Sequence, residues 1–187
     1  MPSDRGPAFA VWLTGLPASG KSTVARALAA ELAGKGIRAA LLESDAVRRE
    51  IAPNAGYNDA ERDAFYATVA YLARMLVLHG VPVIVDATAN RRAYRDRARA
   101  AIPRFLEAHV RCPLAVCQAR DPKGIYRRGA DGTAQNVPGV SAPYEPPLTP
   151  EVVVDGERDD PAVAALRIVS ALEKKGFLPL RNVAKDV

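Results

Sequence analysis

Long apolar runs are missing from this 187-residue sequence. Near the N-terminus the stretch Ala8 to Leu13 is too short for the core of a secretion signal or for a membrane span. Aromatic residues are also scarce, with six Tyr, four Phe and one Trp, and the basic residues are scattered. The stacking platforms and basic stripes of nucleic-acid binders are therefore absent. Cys112 and Cys117 have a spacing that fits neither a redox CxxC pair nor a zinc site, and no second cluster could complete a tetrahedron. Both are expected to be packing residues. His79 and His109 have no Ser or Asp arrangement beside them, and no role is expected for either. Export, membrane insertion and nucleic-acid binding thus lack a basis, and a cytoplasmic location is expected. Residues 1–8 read as a flexible leader, ahead of a single domain over 9–187.

What remains is ordinary globular material. A content of 49% hydrophobic and 25% charged residues suits one folded core at this length. The net charge of +5 favours an anionic partner only weakly. Short apolar runs of the buried-strand kind recur at Phe9–Leu13, Ala39–Leu42, Val81–Val85, Phe105–Val110 and Val152–Val154. Helical patterns lie between them, clearest at Lys21–Ala33, Ala60–Leu78, Arg91–Ala101 and Pro161–Lys174. This alternation predicts an α/β fold, a five-stranded parallel sheet with helices on both faces. Residues 124–150 break the rhythm, with four glycines, many prolines and little periodicity. A segment of that length inside a compact domain reads as a lid.

The most specific motif is Gly15-Leu16-Pro17-Ala18-Ser19-Gly20-Lys21-Ser22, which satisfies GxxxxGK[ST] between a predicted strand and a predicted helix. Glycines are needed because the loop must wrap phosphate oxygens with its N–H groups turned inward, in conformations a Cβ would obstruct. The following helix aims its positive end at the anion. The stretch Gly15, Pro17, Ala18, Ser19, Gly20, Lys21, Ser22 and Thr23 is therefore the candidate ATP site of a P-loop NTPase fold, with Lys21 on the β/γ-phosphates and Ser22 on Mg²⁺.

Ligands of open α/β sheets bind beyond the carboxyl ends of the strands. Asp45 follows the second predicted strand and Asp86 ends the third. A kinase needs one group to position or deprotonate the acceptor hydroxyl and another to hold the metal. Sequence leaves the allocation open; Asp45 is assigned to the acceptor and Asp86 to Mg²⁺, with Lys21, Asp45 and Asp86 as the catalytic set. Arg48, Arg49 and Arg62 are candidate clamps for an anionic acceptor. Arg120, Lys123, Arg127 and Arg128 gather at the mouth of the lid, where cations would balance a moving phosphoryl group.

With those residues placed, the chain resembles the adenylylsulfate kinases from about Val11 to Asp155. The resemblance rests on Cys117-Gln118-Ala119-Arg120-Asp121-Pro122-Lys123-Gly124-Ile125-Tyr126-Arg127-Arg128, on Pro143-Tyr144-Glu145-Pro146-Pro147, and on Asp45-Ala46-Val47-Arg48 with Gly56-Tyr57 and Arg62. It implies transfer of a phosphoryl group from ATP to the 3′-hydroxyl of adenosine 5′-phosphosulfate, a small-molecule substrate. It further implies acceptor contacts from Asp45, Arg48, Tyr57, Arg62 and Lys123, an ATP contact from Arg120, and a homodimer. Several positions depart from the family pattern. Glu43-Ser44-Asp45 replaces Asp-Gly-Asp, and Phe65 stands for an Asn. Ala87-Thr88-Ala89-Asn90 replaces Phe-Ile-Ser-Pro, and Gln135-Asn136-Val137 replaces Lys-Gly-Phe. These changes fall on the acceptor side, so another hydroxyl compound (a nucleoside, sugar or antibiotic) stays open as the acceptor. A nucleotide-binding switch without an acceptor is the reading from a different class.

Overall fold

A computed structural model describes residues 8–54 and 56–179. The chain runs β1 (Ala10–Thr14), α1 (Lys21–Gly34), β2 (Ala40–Glu43), α2 (Ser44–Ile51), α3 (Asp59–Leu78) and β3 (Val83–Asp86). It continues through α4 (Arg92–Ala101), β4 (Phe105–Arg111), α5 (Leu114–Arg120), α6 (Ile125–Ala130), β5 (Val152–Asp155) and α7 (Pro161–Lys174). The five strands form one sheet in the order β2-β3-β1-β4-β5, and every pairing is parallel. The α/β expectation holds.

Side chains alternate across the central strand, and this alternation divides the core. Val11 and Leu13 of β1 join Val24, Leu28 and Leu32 of α1 and Ile168 and Leu172 of α7. Ala10 and Trp12 face the other way, onto Phe65, Val69 and Ala73 of α3 and Tyr94 and Ala98 of α4. Helices therefore cover both faces, as the buried apolar runs require. Two helices are capped from within the sequence. Asn58 and Glu61 form a reciprocal box at α3, and Asp160 accepts from Ala162 N and Val163 N at α7.

Three corrections follow. Ala8 does not belong to a leader, since it is 4% exposed and packs in the second core; residues 1–7 lie outside the described residues. The helices α2, α5 and α6 were not expected from the pattern. The lid segment is also less bare than its composition suggests. It begins with α6 and buries Tyr126 and Val137 in a third cluster with Cys112 and Cys117. Both cysteines are free and buried, the packing residues expected.

The far end of that segment is pinned by a buried ionic network. Arg95, 1% exposed, donates to Glu107 Oε1 at 2.7 Å and to the Glu145 carbonyl at 2.6 Å, and also bonds the Ala89 carbonyl. Arg99 joins Glu107 to Glu151, which also receives Lys175. Removing one member of the buried Arg95–Glu107 pair costs about 3–5 kcal/mol, because its partner keeps an uncompensated charge. The network thus anchors the chain after the lid onto α4 and β4.

Candidate active site

Beyond the carboxyl end of β1 the chain turns through Gly15 to Gly20 and enters α1. Gly15 (φ 158°) and Gly20 (φ 101°) adopt conformations that other residues rarely reach. A Cβ on Gly15 would meet the Val110 carbonyl oxygen at 2.4 Å. Unlike α3 and α7, helix α1 has no side-chain cap; Gly20 occupies the N-cap position. The first N–H groups of α1 are thereby left to an anion. Lys21 lies folded against this loop, its Nζ donating to the Gly15 carbonyl at 3.1 Å and the Leu16 carbonyl at 2.8 Å. Burial lowers its pKa, while Asp86 and Asp45 pull the other way. A buried cation bonded, among the described residues, to loop carbonyls alone is poorly compensated, and a phosphate would compensate it.

Ser22 Oγ donates to Asp86 Oδ2 at 2.5 Å. Asp86 is buried at the end of β3, whose register sets it beside Leu13 of β1. The β1-β3 pairing therefore brings the two predicted metal residues together across 64 positions. A hydroxyl and a carboxylate are hard oxygen donors of the kind Mg²⁺ takes, and they fit it. Among the described residues no three His, Cys, Asp or Glu side chains converge on a metal site. Such a cation would rest on Ser22, Asp86 and the oxygens of a bound phosphate.

A cavity of about 610 Å³ opens over this loop, and a second of about 150 Å³ lies beneath the lid. Pro17, Ser44, Asp45, Thr88 and Ile125 line both. Asp45, one residue inside α2, thus stands at the junction. Its Oδ2 pairs with Lys123 Nζ at 2.5 Å, both side chains being more than half exposed. An exposed pair of this kind is worth at most about 1 kcal/mol, so a competing ligand can part it cheaply.

The larger cavity takes in the predicted residues Pro17, Ala18, Gly20, Lys21, Ser22, Thr23 and Arg120. Buried Ser19 and Gly15 sit behind its lining. Its far wall was not foreseen. Gly156, Glu157 and Asp159, from the turn between β5 and α7, line it, and Arg120 Nη1 holds the Gly156 carbonyl at 2.8 Å. The absence of a side chain at Gly156 is required, since a Cβ would come within 2.1 Å of the Ser19 carbonyl oxygen.

The smaller cavity gathers Arg48, Tyr57 and Arg62 with Phe65, Tyr66 and Arg128, whereas Lys123 lines the larger one. Arg48, 9% exposed, has its guanidinium 3.9 Å from the Phe65 ring centre and 4.7 Å from that of Tyr57. Phe65 thereby fixes Arg48 by stacking. Arg62 is engaged with the protein: it donates to the Tyr57 carbonyl and Asn90 Oδ1, each at 2.9 Å, and to the Asn136 carbonyl. Burial lowers its pKa. Val137 is buried at 3%, tucked under the lid rather than offering a ring to a ligand. Ala89 is fully buried, its N–H bonded to Tyr66 Oη at 3.0 Å. Arg49 and Arg127 line neither cavity. His109 stacks on Tyr144, and burial lowers its pKa to about 4, so it stays neutral. No local signal pointed to Asn90, Gly156 or Arg95.

Comparison with known proteins follows the same lines. The adenylylsulphate kinase family matches the chain over residues 7–155. A probable adenylyl-sulfate kinase of Archaeoglobus fulgidus is 41% identical over 152 residues, covering 81% of this chain and 98% of that protein. A probable bifunctional SAT/APS kinase 2 of Sorangium cellulosum is 35% identical over 96% of this chain, which spans only 31% of its length. Among solved structures, that of the Mycobacterium tuberculosis APS kinase CysC in complex with AMPPNP and APS superposes with a TM-score of 0.85 at 30% identity, covering 90% of this chain and 99% of the other. By its nucleotide cradle, its sheet and its sequence, the chain belongs to the adenylylsulphate kinase family of ATP-dependent phosphotransferases.

Proposed function

We propose that the protein transfers the γ-phosphoryl group of ATP to the 3′-hydroxyl of adenosine 5′-phosphosulfate, releasing ADP and 3′-phosphoadenylylsulfate. The observation that carries this reading is the place of Asp45, shared by a phosphate-binding cavity and a smaller arginine-lined cavity. Asp45 orients the acceptor hydroxyl and takes its proton as the oxygen–phosphorus bond forms and the bond between the β- and γ-phosphates breaks. Transfer is in line, without a covalent enzyme intermediate. Lys21 holds the β/γ-phosphates, and Ser22 and Asp86 hold Mg²⁺, which when bound would offset charge on the phosphate oxygens. Lys123 leaves Asp45 for the anionic substrates, and Arg48, Tyr57 and Arg62 form the acceptor wall. Arg120 and the Gly156 turn bound the nucleotide end, and the lid excludes water. The family resemblance also favours a homodimer and a cytoplasmic setting; among the described residues no helix is long and apolar enough to cross a membrane.

Purified protein with Mg-ATP, assayed for ADP release with and without micromolar adenosine 5′-phosphosulfate, tests the reading. Stimulated release with formation of the 3′-phosphorylated product is expected. ATP binding without stimulation would overturn this acceptor and direct a screen to other hydroxyl compounds.

A further inference from the structure

Asn90 is 2% exposed and lies between β3 and α4, outside the acid and P-loop residues that organise transfer. Three of its polar groups are bonded, one toward the acceptor wall and two toward the far end of the lid. Oδ1 accepts from Arg62 Nη1 at 2.9 Å, Nδ2 donates to the Pro143 carbonyl at 2.9 Å, and its own carbonyl accepts from Glu145 N at 2.7 Å. Through Arg62 the contact extends to the Asn136 carbonyl in the lid and to the Tyr57 carbonyl in the acceptor wall. One buried amide therefore joins the wall before α3, the middle of the lid and the lid's far end. Such a group is costly to leave half-satisfied, so each bond constrains the segment it reaches.

We propose that Asn90 is a positioning residue for the acceptor: it sets the guanidinium of Arg62 and ties the lid to the end of β3. The two arms have separate consequences. The Oδ1 arm holds Arg62 where it faces the smaller cavity. The Nδ2 arm holds Pro143, and with it the return of the lid toward β5. Asn90 lines neither cavity and reaches the smaller one through Arg62. Its loss should thus be felt by the acceptor and the lid, and little by ATP.

The inference rests on the reading of the smaller cavity as the acceptor site, and the test separates the two. In the full chain, Asn90→Ala should raise the acceptor KM about tenfold or more while the KM for ATP moves less than about twofold. Trypsin cleavage at Arg127 and Arg128, exposed in the ligand-free protein, should quicken about fivefold or more as the lid loosens. Asn90→Asp keeps an oxygen toward Arg62 but removes the donor to Pro143. It should retain the acceptor KM within about threefold yet lose the protection from trypsin. Equal rises in both KM values, or a lowered Tm with kinetics and cleavage unchanged, would reduce Asn90 to a core polar group and overturn the proposal. If the parent protein shows no acceptor-stimulated turnover, the acceptor reading fails instead. The trypsin comparison then still decides the tether.

Discussion

Replacing Gly156 with alanine tests whether the turn after β5 sets the position of the phosphate cradle. The new Cβ would stand 2.1 Å from the Ser19 carbonyl oxygen and 2.9 Å from Val110 Cγ1. Ordinary contact starts at 3.4 Å, so Ser19 and Gly156 must part by about 1.3 Å. Neither side yields freely. Gly156 is held by its N–H to the Arg111 carbonyl at 2.7 Å and by Arg120 at 2.8 Å, and Ser19 is fully buried between β1 and α1. Overpacking of this kind costs about 1–3 kcal/mol. In a domain of this size that lowers the Tm by about 2–4 °C per kcal/mol, leaving a cooperative transition. Displacement of a binding group by about 1 Å can cost about a hundredfold in rate. The kcat/KM for ATP should therefore fall about a hundredfold, while the acceptor KM at saturating ATP changes less than about threefold, since Gly156 does not line the smaller cavity. Coupled ADP release and thermal unfolding on the same preparation give both numbers. A lowered Tm with unchanged ATP kinetics would refute the reasoning, because the cradle would then be held independently of the turn.

Lys21→Ala should abolish transfer and leave the Tm at or above that of the parent, because a buried ammonium group with lowered pKa carries an unrelieved desolvation cost; an unchanged rate would remove Lys21 from the chemistry. Asp45→Asn should cut turnover by about 10²–10⁴-fold with ATP affinity within about twofold, and matching losses in both would move Asp45 to the nucleotide side. Burial pushes the Glu151 carboxyl up, but bonds from Arg99, the Glu107 amide and Lys175 outweigh it and hold the pKa at about 2 rather than 4.5. A depressed carboxylate stabilises the fold above pH 4.5 and loses that contribution as the pH falls toward 2. Glu151→Gln should accordingly cost about 1–3 kcal/mol in urea unfolding at pH 7 and much less at pH 3. An equal deficit at both pH values would exclude the ionised network as its source.

The sheet could be read from the sequence because each strand is a short apolar run bracketed by strong helical patterns. Helices α2, α5 and α6 have only eight, seven and six residues, too few turns for a period to emerge. In α2 the buried position is Arg48, whose charge argues for a surface residue until the rings of Phe65 and Tyr57 are seen around it. The start of β4 likewise conceals Glu107, which is buried because Arg95 and Arg99 reach it from α4.

The same physics separates the two halves of the site. The phosphate cradle is local: Lys21 bonds carbonyls five and six residues away, so one unbroken motif specifies both loop and ligand. The acceptor side is assembled over long separations. Arg62 meets Asn136 across 74 positions, Asn90 meets Pro143 across 53, and Thr14 meets Tyr144 across 130. No window of sequence contains both partners of such a bond. Arg62 illustrates the consequence. Its charge marked it as a clamp for an anion, yet three of its donors are taken by Tyr57, Asn90 and Asn136. A guanidinium held by three bonds presents its remaining N–H groups in a fixed direction, so a ligand does not have to meet the cost of ordering it. Residues that depart from the family pattern, Phe65, Asn90, Asn136 and Val137, are concentrated in this half. Two of them, Phe65 and Asn90, hold Arg48 and Arg62 directly, so under the proposed function acceptor preference would be set as much by what fixes the arginines as by the arginines themselves.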